Sequence, residues 1–334
     1  MRAFVALSLV LLLSGVSVVA TSRPAAAQAT CRNSCMAEET PACNVPATKA
    51  NAAAGRKAAW PSAADPGEQQ MTDDILTEVT DGVGLLTLNR PASYNSLSRD
   101  LMRELVPILA GWAVDPAIGC VVITGAGKAF CSGGDVKAQA ARQYAPGTTP
   151  ESRSMELRNA MEAARLLHEM PKPTIAMVNG VAAGAGFSLA LAPDMRIVGE
   201  SARMTTAFAK IALSGDFGGT WFLTRLVGPS KARELYFTSE MLDAHRIAEL
   251  GLANRVVPDD RLHDETMALA RQLATGPRVT WRYMKRNLKA AEEQSLADLL
   301  DLEANGMRVT RDTDDHKEAA QAFVEKRKPV FRGS

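Results

Sequence analysis

The sequence offers a partner almost no net charge: 38 Lys and Arg against 37 Asp and Glu leave +1 over 334 residues. Nothing therefore points to nucleic acid or to an acidic surface as a partner. Beyond the amino terminus no apolar run is long enough to cross a bilayer, so no membrane partner is expected. Histidine is scarce, with four residues (His168, His245, His263 and His316). None has a ligand-spaced neighbour, and each reads as a surface residue. Cysteine is equally uninformative. Cys31, Cys35 and Cys43 lack both a fourth ligand and a nearby histidine, which argues against zinc and favours incidental thiols in an unstructured tail. No metal site is expected.

The first 29 residues stand apart. Arg2 supplies a positive start, Ala3 to Leu13 is apolar apart from Ser8, and Ala25-Ala26-Ala27-Gln28-Ala29 offers an Ala-x-Ala cleavage site. This pattern is that of a secretory signal peptide. Residues 30–70 are rich in Ala, Pro and Thr without apolar periodicity and read as a disordered linker.

From Met71 the text becomes that of a folded protein. Ile75 to Thr80 and Val83 to Asn89 read as strands joined over Asp81-Gly82, a hairpin signal. Ser98 is a candidate N-cap for a helix whose apolar face is Leu101, Leu105, Ile108, Leu109 and Trp112, with Pro107 as a candidate kink. Gln139 to Ser152 is polar and broken by Pro146-Gly147, which predicts a mobile loop. Met155 to Met170 predicts one long amphipathic helix. Short strands are expected over Met195–Val198 and Ala202–Thr206. Beyond Thr220 the chain reads as mainly helical.

Two glycine-rich stretches organise the rest. Lys128 to Lys137 contains Ser132-Gly133-Gly134-Asp135-Val136. Asn179 to Phe187 contains Gly184-Ala185-Gly186. Each follows an apolar run that reads as a buried strand, Ile118 to Thr124 and Thr174 to Val178, and each opens into a helix-compatible segment. A strand that ends in glycines and turns into a helix leaves backbone N–H groups unpaired. Two such turns facing each other would hold one oxygen between two amides, an arrangement that stabilises an enolate or a tetrahedral oxyanion.

The stretches Leu88-Asn89-Arg90-Pro91, Lys128 to Asp135, Lys172 to Gly180, and Gly218-Gly219-Thr220 through Leu226-Val227-Gly228 closely resemble the crotonase (enoyl-CoA hydratase/isomerase) superfamily. The resemblance covers about Ile75 to Arg332. It implies an α/β fold: a spiral of ββα units over residues 71–265, and a helical region over 266–334 that supports a homotrimer or a dimer of trimers. It implies an acyl-CoA substrate, with coenzyme A as part of that substrate and no permanently bound cofactor. By motif position the two amides that grip the thioester carbonyl belong to Gly134 and Ala185. Ser132, Gly133, Asp135, Val136, Lys137, Gly184, Phe187, Ser188 and Phe208 are placed around the substrate, with helix capping as the alternative for Asp135. Family members usually start near Met71, which would make the protein cytoplasmic if translation began there. The leader-like residues 1–29 point instead to export or targeting.

Hydratases of this family use two glutamates that share one water. Here Ser188 and Phe208 stand at those positions. Phe208 cannot move a proton, and Ser188 alone is a poor base. Asp216, in Gly215-Asp216-Phe217-Gly218-Gly219, matches the loop aspartate of enoyl-CoA and ring-epoxide isomerases and of aryl-CoA dehalogenases. A single carboxylate can lift a proton next to an enolisable thioester and return it elsewhere. The alternative is that Asp216 caps the helix starting near Thr220. The leading expectation is double-bond migration or enoyl/epoxide-CoA isomerisation with Asp216 as acid/base. The competing readings are an atypical hydratase, a hydrolase or dehalogenase with Asp216 as nucleophile and Phe187, Phe208, Phe217 and Trp221 as an aromatic clamp, and a non-catalytic CoA-binding scaffold.

Overall fold

The computed structural model describes residues 73–136, 140–141 and 147–334. The leader, the linker, their cysteines, Met71 and Lys137 lie outside those residues.

Strands β1 (Ile75–Thr80) and β2 (Val83–Leu88) form the expected antiparallel hairpin, turned by Asp81 and Gly82, both at positive φ. β2 then starts a parallel array with β3 (Cys120–Gly125), β5 (Thr174–Val178), β7 (Met195–Gly199) and β10 (Arg255–Val257), in the order β1-β2-β3-β5-β7-β10. A second, smaller sheet is built from β4 (Ala129–Cys131), β6 (Val181–Ala183), β8 (Arg203–Thr205) and β9 (Leu242–Asp243), in that order.

Period-two alternation divides the larger sheet between two cores. Val121 and Ile123 of β3 face the main core with Leu86, Leu88, Ala176 and Val178. Cys120 and Val122 face the opposite side with Val83, Ile175, Met177 and Ile197. A strand buried on both faces must read as a continuous apolar run, and β3 does. The main core is closed by helix α1 (Arg99–Val114), whose Leu101, Leu105 and Leu109 are fully buried. Each such leucine contributes roughly 1.5–3 kcal/mol through apolar burial. Ser98 caps α1, accepting from the Leu101 amide at 3.1 Å. The helix continues through Pro107, which lies on the solvent face. There the carbonyl that loses its partner can be hydrated.

The expected loop and long helix are revised. Pro150–Ala160 is already helical (α2), and a second helix, α3 (Glu162–Glu169), follows after a break at Met161. Thr149 and Ser152 form a reciprocal capping box and Pro150 occupies the first turn, so the helix starts five residues earlier than its apolar pattern suggests. Helix α4 (Ala185–Leu191) is buried along its whole length. Helix α5 (Gly219–Thr238) contains a break at Gly228, φ 77° and ψ 162°, followed by Pro229. After α6 (Ala244–Glu249), helix α7 (Leu262–Ala274) packs Leu262, Met267, Ala270 and Ala274 onto the second face of the sheet. Helices α8 (Arg278–Ala291), α9 (Leu296–Arg311) and α10 (Asp314–Glu325) complete the helical carboxy-terminal region. Among the described residues no helix is long and apolar enough to cross a membrane.

Asp194 illustrates how the helical region is tied to the sheet. Its carboxylate accepts from the Thr174 amide at 2.8 Å and from Lys285 Nζ, on α8, at 2.8 Å. Lys285 also donates to the carbonyls of Lys172 (3.0 Å) and Leu167 (3.2 Å), and burial lowers its pKa. Removing the carboxylate would leave that buried cation with two carbonyls and the Thr174 hydroxyl and no counter-charge among them. We expect Asp194→Ala to destabilise the protein by about 3 kcal/mol, the low end for a broken buried pair because the carboxylate keeps 29% exposure. Denaturant unfolding measures this, and a loss within the surface-pair range of about 1 kcal/mol would contradict the structural role.

Candidate active site

The two glycine turns lie side by side because the strands that feed them, β4 and β6, are parallel neighbours. Their approach tolerates no side chain. A Cβ on Gly186 would sit 2.1 Å from the Cys131 carbonyl oxygen. One on Gly133, whose φ is +93°, would sit 2.7 Å from the Ala183 carbonyl oxygen and 3.3 Å from the Ala185 nitrogen. The first turn is anchored at its back, where the Leu97 amide donates to the Gly133 carbonyl at 2.8 Å. The second is anchored by Gly184, which donates to Thr205 at 3.2 Å while holding φ 56° and ψ −125°. Ala185 is then the first residue of α4, where the N–H has no intrahelical acceptor. Among the described residues, neither the Gly134 nor the Ala185 N–H donates to another backbone group outside regular structure.

Asp216 sits in a loop with three deviations from ordinary backbone: Gly215 (φ 109°), Phe217 (φ 48°) and Gly218 (φ 73°). Phe217 at positive φ is strained, and its fully buried ring holds the turn in place. The N-cap of α5 is Gly218, without a side-chain cap, so the Asp216 carboxylate does not cap that helix. Its Oδ1 is buried with no hydrogen-bond partner. Burial pushes the carboxyl up to about 6. Its charge also acts on the buried Cys131 thiol at the end of β4, which connects the loop electrostatically to the first glycine turn. Burial pushes that thiol up to about 12, so Cys131 is a packed thiol and not a thiolate.

The third component, Tyr236 on α5, belongs to none of the sequence motifs. A Cβ on Gly219 would lie 2.6 Å from the Tyr236 hydroxyl and 2.2 Å from Ser188 Oγ, and one on Gly215 would lie 3.1 Å from Tyr236 Cε1. The Asp216 loop thus wraps the phenol end of Tyr236. Ser188, fully buried, donates to the Gly184 carbonyl at 3.3 Å. Its oxygen can at the same time accept from the buried Tyr236 hydroxyl, an interaction that opposes the rise in the phenol's pKa. Burial first, and then the Asp216 charge, hold the phenol above its usual pKa. Phe208 stacks on the Tyr236 ring with centroids 6.0 Å apart and 8° between planes. Its Cε1 is 3.8 Å from where a Gly184 Cβ would stand, so it borders the second turn. One signal for Tyr236 is legible: it is a polar aromatic that follows the buried Ala232 and Leu235 on the inward side of its helix.

The remaining expected residues divide. Ser132 is bound to the first turn's surroundings, its amide donating to Tyr94 at 2.9 Å. The Asp135 carboxylate lies 3.8 Å from the Arg90 guanidinium, and Val136 is exposed. Phe187 is fully buried in the main core. The expected aromatic clamp does not assemble either. Phe187 and Phe217 are core residues, and the Arg225 guanidinium covers Trp221 at 3.7 Å.

His168 is a correction. It is half-buried and packs edge-on against Trp221 and Phe222, with ring centroids 5.0 and 5.2 Å away, and faces Glu292 at 3.4 Å. It lines a cavity of about 230 Å³ with Asp194, Lys285 and Lys289. That cavity is walled by the ion pairs that fasten α8 and contains neither glycine turn.

The chain matches the family model described as enoyl-CoA hydratase/isomerase over residues 78–334. It is 39% identical over 264 residues to a 1,2-epoxyphenylacetyl-CoA isomerase of Escherichia coli (strain K12), covering 79% of this chain and 100% of that protein. It is 34% identical to a mitochondrial enoyl-CoA hydratase of Pongo abelii, covering 75% of this chain and 83% of that one. Among solved structures, an enoyl-CoA hydratase from Bacillus anthracis superposes with a TM-score of 0.73 at 33% identity, covering 78% of this chain and 100% of that one.

Proposed function

The chain belongs to the enoyl-CoA hydratase/isomerase family, and from that premise we propose that it isomerises an acyl-CoA thioester, moving a double bond or rearranging an epoxide, with Asp216 as the acid/base. The observation that carries this reading is the buried Asp216 carboxyl, whose Oδ1 has no partner, with Ser188 and Phe208 standing at the two positions where a two-carboxylate hydratase would need glutamates.

The thioester carbonyl oxygen would lie between the Gly134 and Ala185 N–H groups. As the enolate forms, charge grows on that oxygen, and two fixed amides stabilise it more than they stabilise the neutral carbonyl. Asp216, ionised, takes a proton from the carbon next to the carbonyl. Now neutral, it returns the proton to another carbon of the conjugated system. A carboxyl with a pKa near 6 suits both halves of that cycle, since it holds and releases a proton within reach of neutral pH. Burial of the carboxyl raises that pKa. No water-activating pair is required, which separates this reaction from hydration.

A direct test uses absorbance of the conjugated thioester. With a β,γ-enoyl-CoA the signal should grow. With crotonyl-CoA it should hold steady, and rapid loss would identify a hydratase instead.

A further inference from the structure

We propose that the cavity at the amino-terminal ends of β3 and β5 is a phosphate-binding site, in which Lys172, Arg278 and Arg282 take a phosphate group, free or carried as the monoester of a small molecule. The inference does not depend on the acyl-CoA reading: both glycine turns lie beyond the opposite, carboxyl ends of the same strands.

The cavity has a volume of about 540 Å³ and lies between the exit of α1, the entries to β3 and β5 and the first turn of α8. Its charged lining is three cations, Lys172, Arg278 and Arg282, and one carboxylate, Asp115. Lys172 Nζ donates to the carbonyls of Trp112 and Asp115, each at 2.5 Å. Arg278 Nη1 donates to the next carbonyl along the chain, that of Pro116, at 2.5 Å. Two cations are thus held on consecutive peptide groups. The Asp115 carboxylate accepts from the Ala117 amide at 2.8 Å. Among the described residues no carboxylate lies within ion-pair distance of any of the three cations. Further along α8 the pattern differs: Lys285 meets Asp194 at 2.8 Å and Lys289 meets Glu169 at 2.5 Å. Burial lowers the Lys172 pKa to about 8; Asp115 opposes that shift, and Arg278 and Arg282 add to it. Capping of the last turn of α1 accounts for Lys172. It does not account for Arg282, which donates to no group among the described residues.

Three cations with one carboxylate leave two charges uncompensated, and a phosphate dianion carries the same number of opposite sign. The guanidinium fork matches pairs of phosphate oxygens, and an ammonium adds a point charge beside it. A cleft lined by one sign of charge concentrates the opposite ion. Lys172 stands between Pro171 and Pro173, whose rings restrict the backbone on both sides of it, so little order remains to be gained on binding. The cavity is larger than one phosphate and leaves room for the rest of a monoester.

Calorimetry with inorganic phosphate and glycerol 3-phosphate, in about 0.15 M KCl to screen exposed charge, compares the wild type with Arg282→Gln and Arg286→Gln. Arg282 has no partner to lose, so its variant should fold. Arg286, one turn on, donates to the Leu302 carbonyl on α9 at 3.1 Å and controls for a charge lost outside the cavity. The wild type should bind at least one probe saturably, at one site per chain. Arg282→Gln should weaken that binding about tenfold or more, and Arg286→Gln should leave it within about twofold. Tighter binding of the ester assigns the site to a phosphorylated small molecule, and equal or tighter binding of inorganic phosphate assigns it to the free ion; both support the proposal. No saturable binding, or a loss in Arg282→Gln no larger than in Arg286→Gln, would overturn it.

Discussion

Asp216→Asn should lose turnover and gain stability. The rate loss follows from the proposed role: the amide keeps the shape of the carboxyl and cannot take a proton, and a positioned acid/base typically contributes about 10²–10⁴-fold. Acyl-CoA affinity should remain, since the two backbone amides are untouched. The stability gain follows from burial, which raises the carboxyl from its ordinary value of 3.8 to about 6 in the folded protein. The folded state therefore binds more protons than the unfolded state between those values, and stability falls as pH rises through that window. Above it the ionised group destabilises the fold by about two pKa units, on the order of 3 kcal/mol at most. Asn does not ionise, so the variant should gain on wild type from about pH 4 to 7 and show no such gain below about pH 4. The wild-type rate carries the same signature. Asp216 must begin ionised, so kcat/KM should fall about tenfold per pH unit below about 6. Melting curves and pH–rate profiles measure both. A variant that is equally active, or destabilised at neutral pH, would reject the assignment.

Part of the candidate site is legible in the sequence and part is not. Asp216 stands out because the residues around it, Gly215, Phe217, Gly218 and Gly219, suit no helix or strand. Gly133 and Gly186 stand out because their glycine-rich stretches come soon after the long buried strands β3 and β5. β3 and β5 are readable because burial on both faces makes a continuous apolar run. The small sheet is mostly invisible: β4, β6 and β9 have three, three and two residues, too few for any periodicity. Yet that sheet brings the two glycine turns together. Tyr236 escapes notice for a different reason. It lies 20 positions from Asp216 on a helix, and only the wrap of the loop around α5 joins them. His168 reads as a surface residue because no ligand-spaced residue accompanies it in sequence, while its neighbours in space, Trp221 and Phe222, are brought by α5.

The second large effect is expected at the other end of the proposed reaction, from Ala185→Pro. Most prolines that remove a backbone donor also break a helix, which makes their effect on activity hard to interpret. Ala185 escapes this. It is the first residue of α4, where the N–H has no acceptor in the helix and a proline ring is tolerated. The preceding residue is restricted by proline, but here it is Gly184 at φ 56° and ψ −125°, the mirror image of the extended region, which glycine alone occupies freely. The variant therefore removes one of the two donors proposed to hold the enolate oxygen, and puts a ring carbon where the donor was. Loss of one such donor lowers turnover by about 10²–10³. Ala185→Gly keeps the N–H and should stay within a few-fold of wild type. The pair separates a lost donor from a disturbed helix: both proteins should melt close to wild type, and only the proline variant should lose turnover. If Ala185→Pro folds and retains near-normal isomerisation, the thioester oxygen is not held at this amide, and the two glycine turns serve packing alone.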